Sequence, residues 1–349
     1  MQIQEEVLLA GYTTFGIGGA ARYFCEAENE ADVVEAVRAA KERGVRLFVL
    51  GGGSNLLVAD EGFDGLVVRI RMMGVEKRVE GALTVFDVGA GEDWDAFVLR
   101  AVTDGCAGVE CLAGIPGTVG GTPVQNVGAY GQEVSETILS VRVLDLESGE
   151  FLEMGREECG FRYRQSVFNS SAAGRYVVTR VRFGLMDGGP PKIAYADLRK
   201  HFGAKGVPTL REVYDGVRAI RNSKGMLLVE GEPDCRSAGS FFKNPIVEES
   251  VVERVAEAVG LPPIAVPRYP SGKRYVKLPA AWLLERAGFV KGFAMGRAGI
   301  STKHTLALVN LGGATAEEVR ALRDAVIAGV EGKFGIRLEQ EPVEVRRAD

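Results

Sequence analysis

The sequence predicts an α+β fold, and three features of its 349 residues carry that expectation. Strand-like and helix-like stretches both occur, but without the regular alternation that a parallel α/β sheet requires. Hydrophobic residues make up 46% and charged residues 26%, ordinary values for a chain with a sizeable core. Glycine is in excess: 46 of 349 is about 13%, nearly twice the usual ~7%, so the surplus belongs in turns and ligand loops.

The elements follow in order. Val33, Val34, Val37 and Ala40 mark one face of a helix, and Gly44 supplies its stop. Residues 46–50 read as a buried strand running into Gly51-Gly-Gly-Ser-Asn55, after which strand-like text resumes and ends at residues 65–70. A second helix starts near Asp93, with Trp94, Phe97, Val98 and Ala101 inward and Gly105 at its end. Residues 141–146 and 151–154 flank Glu-Ser-Gly-Glu and form a hairpin. Asp187-Gly-Gly-Pro-Pro191 is a punctuated loop. A helix over residues 210–221 turns Val213, Tyr214, Val217 and Ile220 inward, and the aperiodic stretch 222–235 connects to a last domain. That domain has helices near 251–259 and 279–287, a strand at 306–311, and a final helix opened by the capping-box spacing of Thr315-Ala-Glu-Glu318.

Three glycine-rich stretches stand out. Gly16-Ile-Gly-Gly-Ala-Ala21 fits the G-x-G-x-x-A dinucleotide pattern, which works only where a strand leads into a helix facing the pyrophosphate. Here Arg22-Tyr-Phe-Cys-Glu-Ala27 looks extended, so the Rossmann reading is rejected. Gly51-Gly-Gly-Ser-Asn55 and Gly114-Ile-Pro-Gly-Thr-Val-Gly-Gly121 suit a different role. A backbone without Cβ atoms can adopt φ > 0 and aim several N–H donors at one anion. The run from Cys111 to Gln132 is uncharged over 22 residues, and such a segment can lie against a large planar cofactor where side chains would collide. One such loop is more simply a tight turn; two long ones favour a ligand.

Other classes are excluded. Lys and Arg total 42 against 47 Asp and Glu, a net charge of −5 that argues against nucleic acid. The uncharged run contains six glycines and two prolines, which rules out a lipid-spanning helix. The acidic N-terminal residues do not form a signal peptide. Five scattered cysteines without a C-x-x-C pair, and two histidines, suggest neither a disulfide framework nor a metal centre. The expectation is a reduced, cytoplasmic, metal-independent protein that binds neither nucleic acid nor membrane.

The motifs, in order, are Thr14-Phe-Gly-Ile-Gly-Gly19, Leu50-Gly-Gly-Gly-Ser-Asn-Leu56, Gly114–Gly121, Gln125-Asn-Val-Gly-Ala-Tyr-Gly131, Tyr163-Arg-Gln-Ser166, Gly239-Ser-Phe-Phe-Lys-Asn-Pro245 and Ser301-Thr-Lys-His304. Nearly end to end, the chain resembles the UDP-N-acetylenolpyruvoylglucosamine reductases (UDP-N-acetylmuramate dehydrogenases, the MurB family), and within them the subclass with a tyrosine lid segment. These are flavoenzymes of bacterial peptidoglycan synthesis. The resemblance implies the α+β FAD-binding fold of the vanillyl-alcohol oxidase type, with lobes at 1–72 and 73–222. It adds a C-terminal substrate-binding domain at 223–349 whose last strand returns to the first lobe. It also implies non-covalent FAD, NADPH as co-substrate, a UDP-sugar enolpyruvyl ether as substrate, and a monomer. An FAD-dependent oxidase of the same fold, acting on a sugar or alcohol, is the alternative.

The implied reaction delivers hydride to the terminal alkene carbon and leaves negative charge beside the carboxylate. That requires a cationic stabiliser and a proton donor. The resemblance gives Arg164 the carboxylate, which a guanidinium can clamp with two parallel hydrogen bonds. Arg162 stays open as a rival, since on a strand both would face one side. Ser240 matches the proton donor. Glu341, in Leu338-Glu-Gln-Glu341, matches the late acidic residue, with Glu339 open because Pro342 departs from the family pattern. The flavin cradle comprises Gly51, Gly52, Gly53, Ser54 and Asn55, then Gly114, Ile115, Pro116, Gly117, Thr118, Gly120 and Gly121. Asn126, Gly128, Ala129 and Tyr130 complete it. Tyr195 is the substrate-covering tyrosine, Arg221 and Lys224 meet the diphosphate, and Lys243 and Asn244 meet the nucleotide or its phosphates. No metal ligand is expected.

Overall fold

Helix α1 (Glu30–Arg43) forms where small and branched apolar residues recur at helical spacing. Val33, Ala36, Ala39 and Ala40 are buried, Asn29 accepts the Asp32 N–H at the start, and Gly44 at φ 63° ends it. It packs on a four-stranded sheet drawn from β1 (Gln4–Leu8), β2 (Ala20–Ala27), β3 (Arg46–Leu50) and β5 (Phe63–Ile70), with the short β4 (Leu56–Val58) lying outside it. The sheet order is β1-β2-β5-β3, and β5 runs parallel to both of its neighbours. The strand directly after Gly16–Ala21 is what excludes a Rossmann turn there.

A second, antiparallel sheet orders the strands Phe151–Gly155, Ile138–Asp145, Tyr176–Asp187, β7 (Leu83–Gly89) and β6 (Val75–Glu80). Helices α2 (Trp94–Thr103), α3 (Ala196–Phe202) and α4 (Leu210–Ser223) belong to the same part of the chain. Trp94, Phe86 and Phe183 are fully buried, with Phe97 stacked 5.0 Å from Phe183. The helix α3 has no counterpart in the sequence reading. At seven residues it is too short to show a face by periodicity.

The computed structural model describes residues 1–203 and 206–347, in two compact units. The first comprises Met1–Val7, Ala21–Gly53 and Phe63–Ser223; the second comprises Leu8–Ala20, Ser54–Gly62 and Lys224–Asp349. Two pieces of the first lobe as drawn from sequence therefore cluster with the C-terminal segment. The cause is pairing and burial: β4 runs parallel to Val343–Val345, Asn310 donates to the Phe15 carbonyl at 3.0 Å, and Phe15, Ile17 and Leu57 lie in the second core. That core is closed by α5 (Val251–Val259), α6 (Ala280–Arg286) and α7 (Ala316–Phe334), the last carrying the full Thr315–Glu318 capping box.

The five cysteines are free and buried. Among the described residues no helix is long and apolar enough to cross a membrane, and no group of three His, Cys, Asp or Glu residues could hold a metal.

Candidate active site

In the first unit, two glycine loops meet backbone to backbone. A Cβ on Gly52 would lie 2.5 Å from the Gly117 Cα and 3.1 Å from the Thr118 nitrogen, and one on Gly51 would lie 2.9 Å from Thr118 Oγ1. At Gly52, where the obstruction is backbone, glycine is required by space. The second loop is laid along the segment that enters α2. Gly120 donates to the Ala90 carbonyl at 2.9 Å, Val119 to Glu92 at 2.9 Å, and Trp94 to Gly117 at 3.1 Å, while the Trp94 indole donates to Leu112 at 3.0 Å. Gly114 is held from both ends, its N–H by Asp95 Oδ1 at 2.6 Å and its carbonyl by Arg221 Nε at 2.9 Å. Thr118 Oγ1 is buried without a hydrogen-bond partner among the described residues. A glycine-rich cradle with an orphaned hydroxyl fits a large planar, phosphate-bearing group such as FAD.

Three of the four non-glycine residues at positive φ, among those described, fall in this region: Asn126 at 46°, Tyr130 at 50° and Arg164 at 55°. Such backbone strain concentrates at functional sites. Asn126 is buried and uses its amide on the frame. It donates to Glu133 Oε2 at 2.8 Å and to the Arg162 carbonyl at 3.0 Å, and accepts the Ser135 N–H at 3.1 Å. The segment expected to put Arg162 and Arg164 on one side of a strand is instead a tight turn. Arg162 and Gln165 exchange backbone hydrogen bonds of 2.8 and 3.1 Å. Ser166 anchors the turn by donating to the Val124 carbonyl at 2.6 Å and accepting the Phe168 N–H at 3.1 Å. The turn separates the rivals: Arg162 is exposed, whereas Arg164 is half-buried and donates Nη1 to the Gly128 carbonyl at 2.8 Å.

Tyr195, 40% exposed, caps α3 and meets the Tyr130 ring edge-on at 5.6 Å. Burial pushes the Tyr130 hydroxyl above the ordinary tyrosine pKa. It also lowers Arg221, against the opposing pull of Tyr130 and Asp95, which favour its charged form.

Ser240 and Glu341 lie in the second unit, on neighbouring backbones. Phe241 donates to the Leu306 carbonyl at 2.8 Å, Glu341 donates to the Phe241 carbonyl at 2.9 Å, and Lys243 donates to the Glu339 carbonyl at 2.9 Å. The half-buried Ser240 hydroxyl makes no hydrogen bond among the described residues. Glu341 is half-buried, while Glu339 is exposed and pairs with Lys243 at 3.3 Å. Asn244 Oδ1 accepts the Ala280 N–H at 2.8 Å and so caps α6. Asn55 Nδ2 donates to the Glu341 carbonyl at 3.4 Å, and Lys224 is half-buried. A cavity of about 430 Å³ in this unit is lined by Thr14, Leu228, Glu232 and Arg236 among others, and none of the sequence-predicted residues lines it.

Sequence reasoning missed Asp95, which holds the Gly114 N–H, and its partners Tyr214, whose hydroxyl donates to Asp95 Oδ2 at 3.2 Å, and Arg218, whose guanidinium pairs with the same oxygen. Tyr214 was read as an inward helical residue only, and Asp95, next to Trp94 at a helix start, gave no signal beyond helix polarity.

Comparison with known proteins gives a consistent set of likenesses. Residues 21–155 match the FAD binding domain family, and residues 232–345 match the family of the UDP-N-acetylenolpyruvoylglucosamine reductase C-terminal domain. The chain is 47% identical to the UDP-N-acetylenolpyruvoylglucosamine reductase of Thermobifida fusca over 97% of both chains. It is 49% identical to that of Saccharopolyspora erythraea, over 96% of this chain and 93% of the relative. The crystal structure of UDP-N-acetylenolpyruvylglucosamine reductase (MurB) from Thermus caldophilus superposes with a TM-score of 0.68 at 28% identity, covering 99% of each chain.

Proposed function

The chain belongs to the UDP-N-acetylenolpyruvoylglucosamine reductase family, and from that premise we propose the reaction and the residues that carry it. The protein is an FAD-dependent oxidoreductase of peptidoglycan synthesis. Our reading is that it works in the cytoplasm with NADPH as reductant, and that it converts UDP-N-acetylglucosamine enolpyruvate into UDP-N-acetylmuramate. The observation that carries this reading is Arg164, a half-buried guanidinium kept at φ 55° and bonded to the Gly128 carbonyl beside the glycine cradle. Non-glycine residues held in that backbone region concentrate at functional sites.

The residues that would hold FAD are Gly51–Gly53 and Gly114–Gly121, by close backbone approach and through the N–H groups left over once those of Gly114, Val119, Gly120 and Gly121 are engaged internally, with Thr118 Oγ1 as an added polar contact. Bound FAD supplies the hydride chemistry. Arg164 clamps the substrate carboxylate and stays charged while electron density builds on the adjacent carbon. Ser240 Oγ gives its proton to that carbon, and since it makes no hydrogen bond among the described residues, none has to break first. Glu341 is the acidic member of the set. Arg221 and Lys224 receive the diphosphate, and Tyr195 covers the bound sugar. Lys243 and the amide NH₂ of Asn244 face the nucleotide.

Anaerobic stopped-flow of Ser240→Ala tests the reading. Bleaching of the flavin by NADPH should stay close to the parent rate, while reoxidation by the enolpyruvyl UDP-sugar should slow by about 10²–10⁴-fold. Normal turnover by the variant would remove Ser240 as proton donor. A parent protein that NADPH bleaches but the UDP-sugar fails to reoxidise would remove the substrate assignment.

A further inference from the structure

Gly114 sits at φ 68° with both of its polar backbone atoms held by side chains from two helices, Asp95 on α2 and Arg221 on α4. Further along the loop, Gly117, Val119 and Gly120 are held by backbone partners. The second oxygen of Asp95 turns to α4, where it accepts the Tyr214 hydroxyl at 3.2 Å and pairs with Arg218 Nη1. Tyr214, Arg218 and Arg221 follow at i, i+4 and i+7, so they share one helix face. Two guanidiniums three residues apart on that face repel each other. Asp95 places a carboxylate against one of them and, through Gly114, a carbonyl against the other. Arg221 in turn neighbours Tyr130, whose ring meets Tyr195.

We propose that Asp95 is a positioning residue: by tying the Gly114 N–H to Arg218 it sets the Arg221 guanidinium against the flavin loop, and so fixes how an anionic nucleotide-sugar is received. The inference rests on the reductase reading above, and Asp95 acts through Gly114 and Arg221 rather than on the reacting atoms. It predicts a separation of effects. In Asp95→Asn one oxygen remains for the Gly114 N–H, but the other is replaced by an NH₂ that meets Arg218 donor to donor. The loop keeps its anchor and Arg218 loses its counter-charge.

The test titrates FAD-loaded parent and Asp95→Asn with the enolpyruvyl UDP-sugar, following the flavin absorption spectrum. The apoproteins are titrated with FAD by fluorescence quenching alongside. The sugar titration should shift to about 10–100-fold higher concentration in the variant, while FAD affinity and the rate of bleaching by NADPH change by less than about threefold. In Asp95→Asn/Arg218→Gln, which removes the uncompensated guanidinium, most of the lost sugar affinity should return. An unshifted sugar titration in Asp95→Asn would overturn the proposal. So would an equal loss of FAD affinity and of both half-reactions without recovery in the double variant, since that marks a purely structural residue. The parent separates the two layers: if its flavin spectrum does not respond to the UDP-sugar, the substrate reading has failed before Asp95 is reached.

Discussion

Arg164 combines a charged side chain with a backbone conformation that disfavours any side chain at all. At φ 55° an L-residue costs about 1–2 kcal/mol relative to glycine. Arg164→Gly and Arg164→Ala lose the same guanidinium and the same bond to the Gly128 carbonyl, so their difference isolates the backbone term. Arg164→Gly should melt about 2–4 °C above Arg164→Ala, while both lose most of the substrate-dependent reoxidation of the flavin. Equal melting temperatures would mean that the turn relaxes and that no strain is stored there. This is also where sequence reading reached its limit for single residues. The motif selected Arg164, but the strand assumed for it left Arg162 equivalent. A left-handed arginine inside a four-residue turn has no local signature, because the side-chain hydrogen bonds that fix it reach Val124, Asn126 and Gly128, 36 to 42 positions from their partners at the turn.

The Gly44 stop of α1 and the Thr315–Glu318 start of α7 were legible, since those signals lie within or beside the element itself, whereas Val34, read on the apolar face of α1, is 44% exposed. The glycine runs were legible as loops, but not as partners of each other. Their contact joins segments more than 60 residues apart and is made by backbone atoms, which leave no pattern in side-chain identity. The structure therefore divides glycines that look alike in the sequence. Gly52→Ala forces a methyl group to 2.5 Å from the Gly117 Cα, and backbone cannot swing aside as a flexible side chain can. FAD affinity should fall about 10–100-fold, the size of a typical overpacking penalty. Gly121 has nothing within 4 Å of the corresponding position and no positive φ, so Gly121→Ala should hold FAD within about threefold of the parent. Fluorescence titration of the two apoproteins with FAD compares them directly, and similar losses in both would show that the cradle needs flexibility rather than close approach.

The two units interleave along the chain, which no local reading could show. Leu57 lies two positions beyond the Gly51–Asn55 loop, yet it is fully buried in the core built by the C-terminal helices. What moves it there is the parallel pairing of β4 with Val343–Val345, a partner nearly 290 residues later. Phe15 and Ile17 follow the same logic, with Phe15 packed edge-on against Phe241 at 6.3 Å. A cavity at Leu57 should consequently be felt in the second unit. Leu57→Ala should lower the free energy of opening for amides in α7 by about 2–5 kcal/mol, the usual cost of such a truncation in a packed core. Amides in the strand Tyr176–Asp187, at the centre of the first unit's antiparallel sheet, should lose less than half as much. Native-state hydrogen exchange reads both at once. A larger loss in Tyr176–Asp187 than in α7 would contradict the assignment of residues 54–62 to the second unit, because a cavity weakens first the core whose contacts it removes.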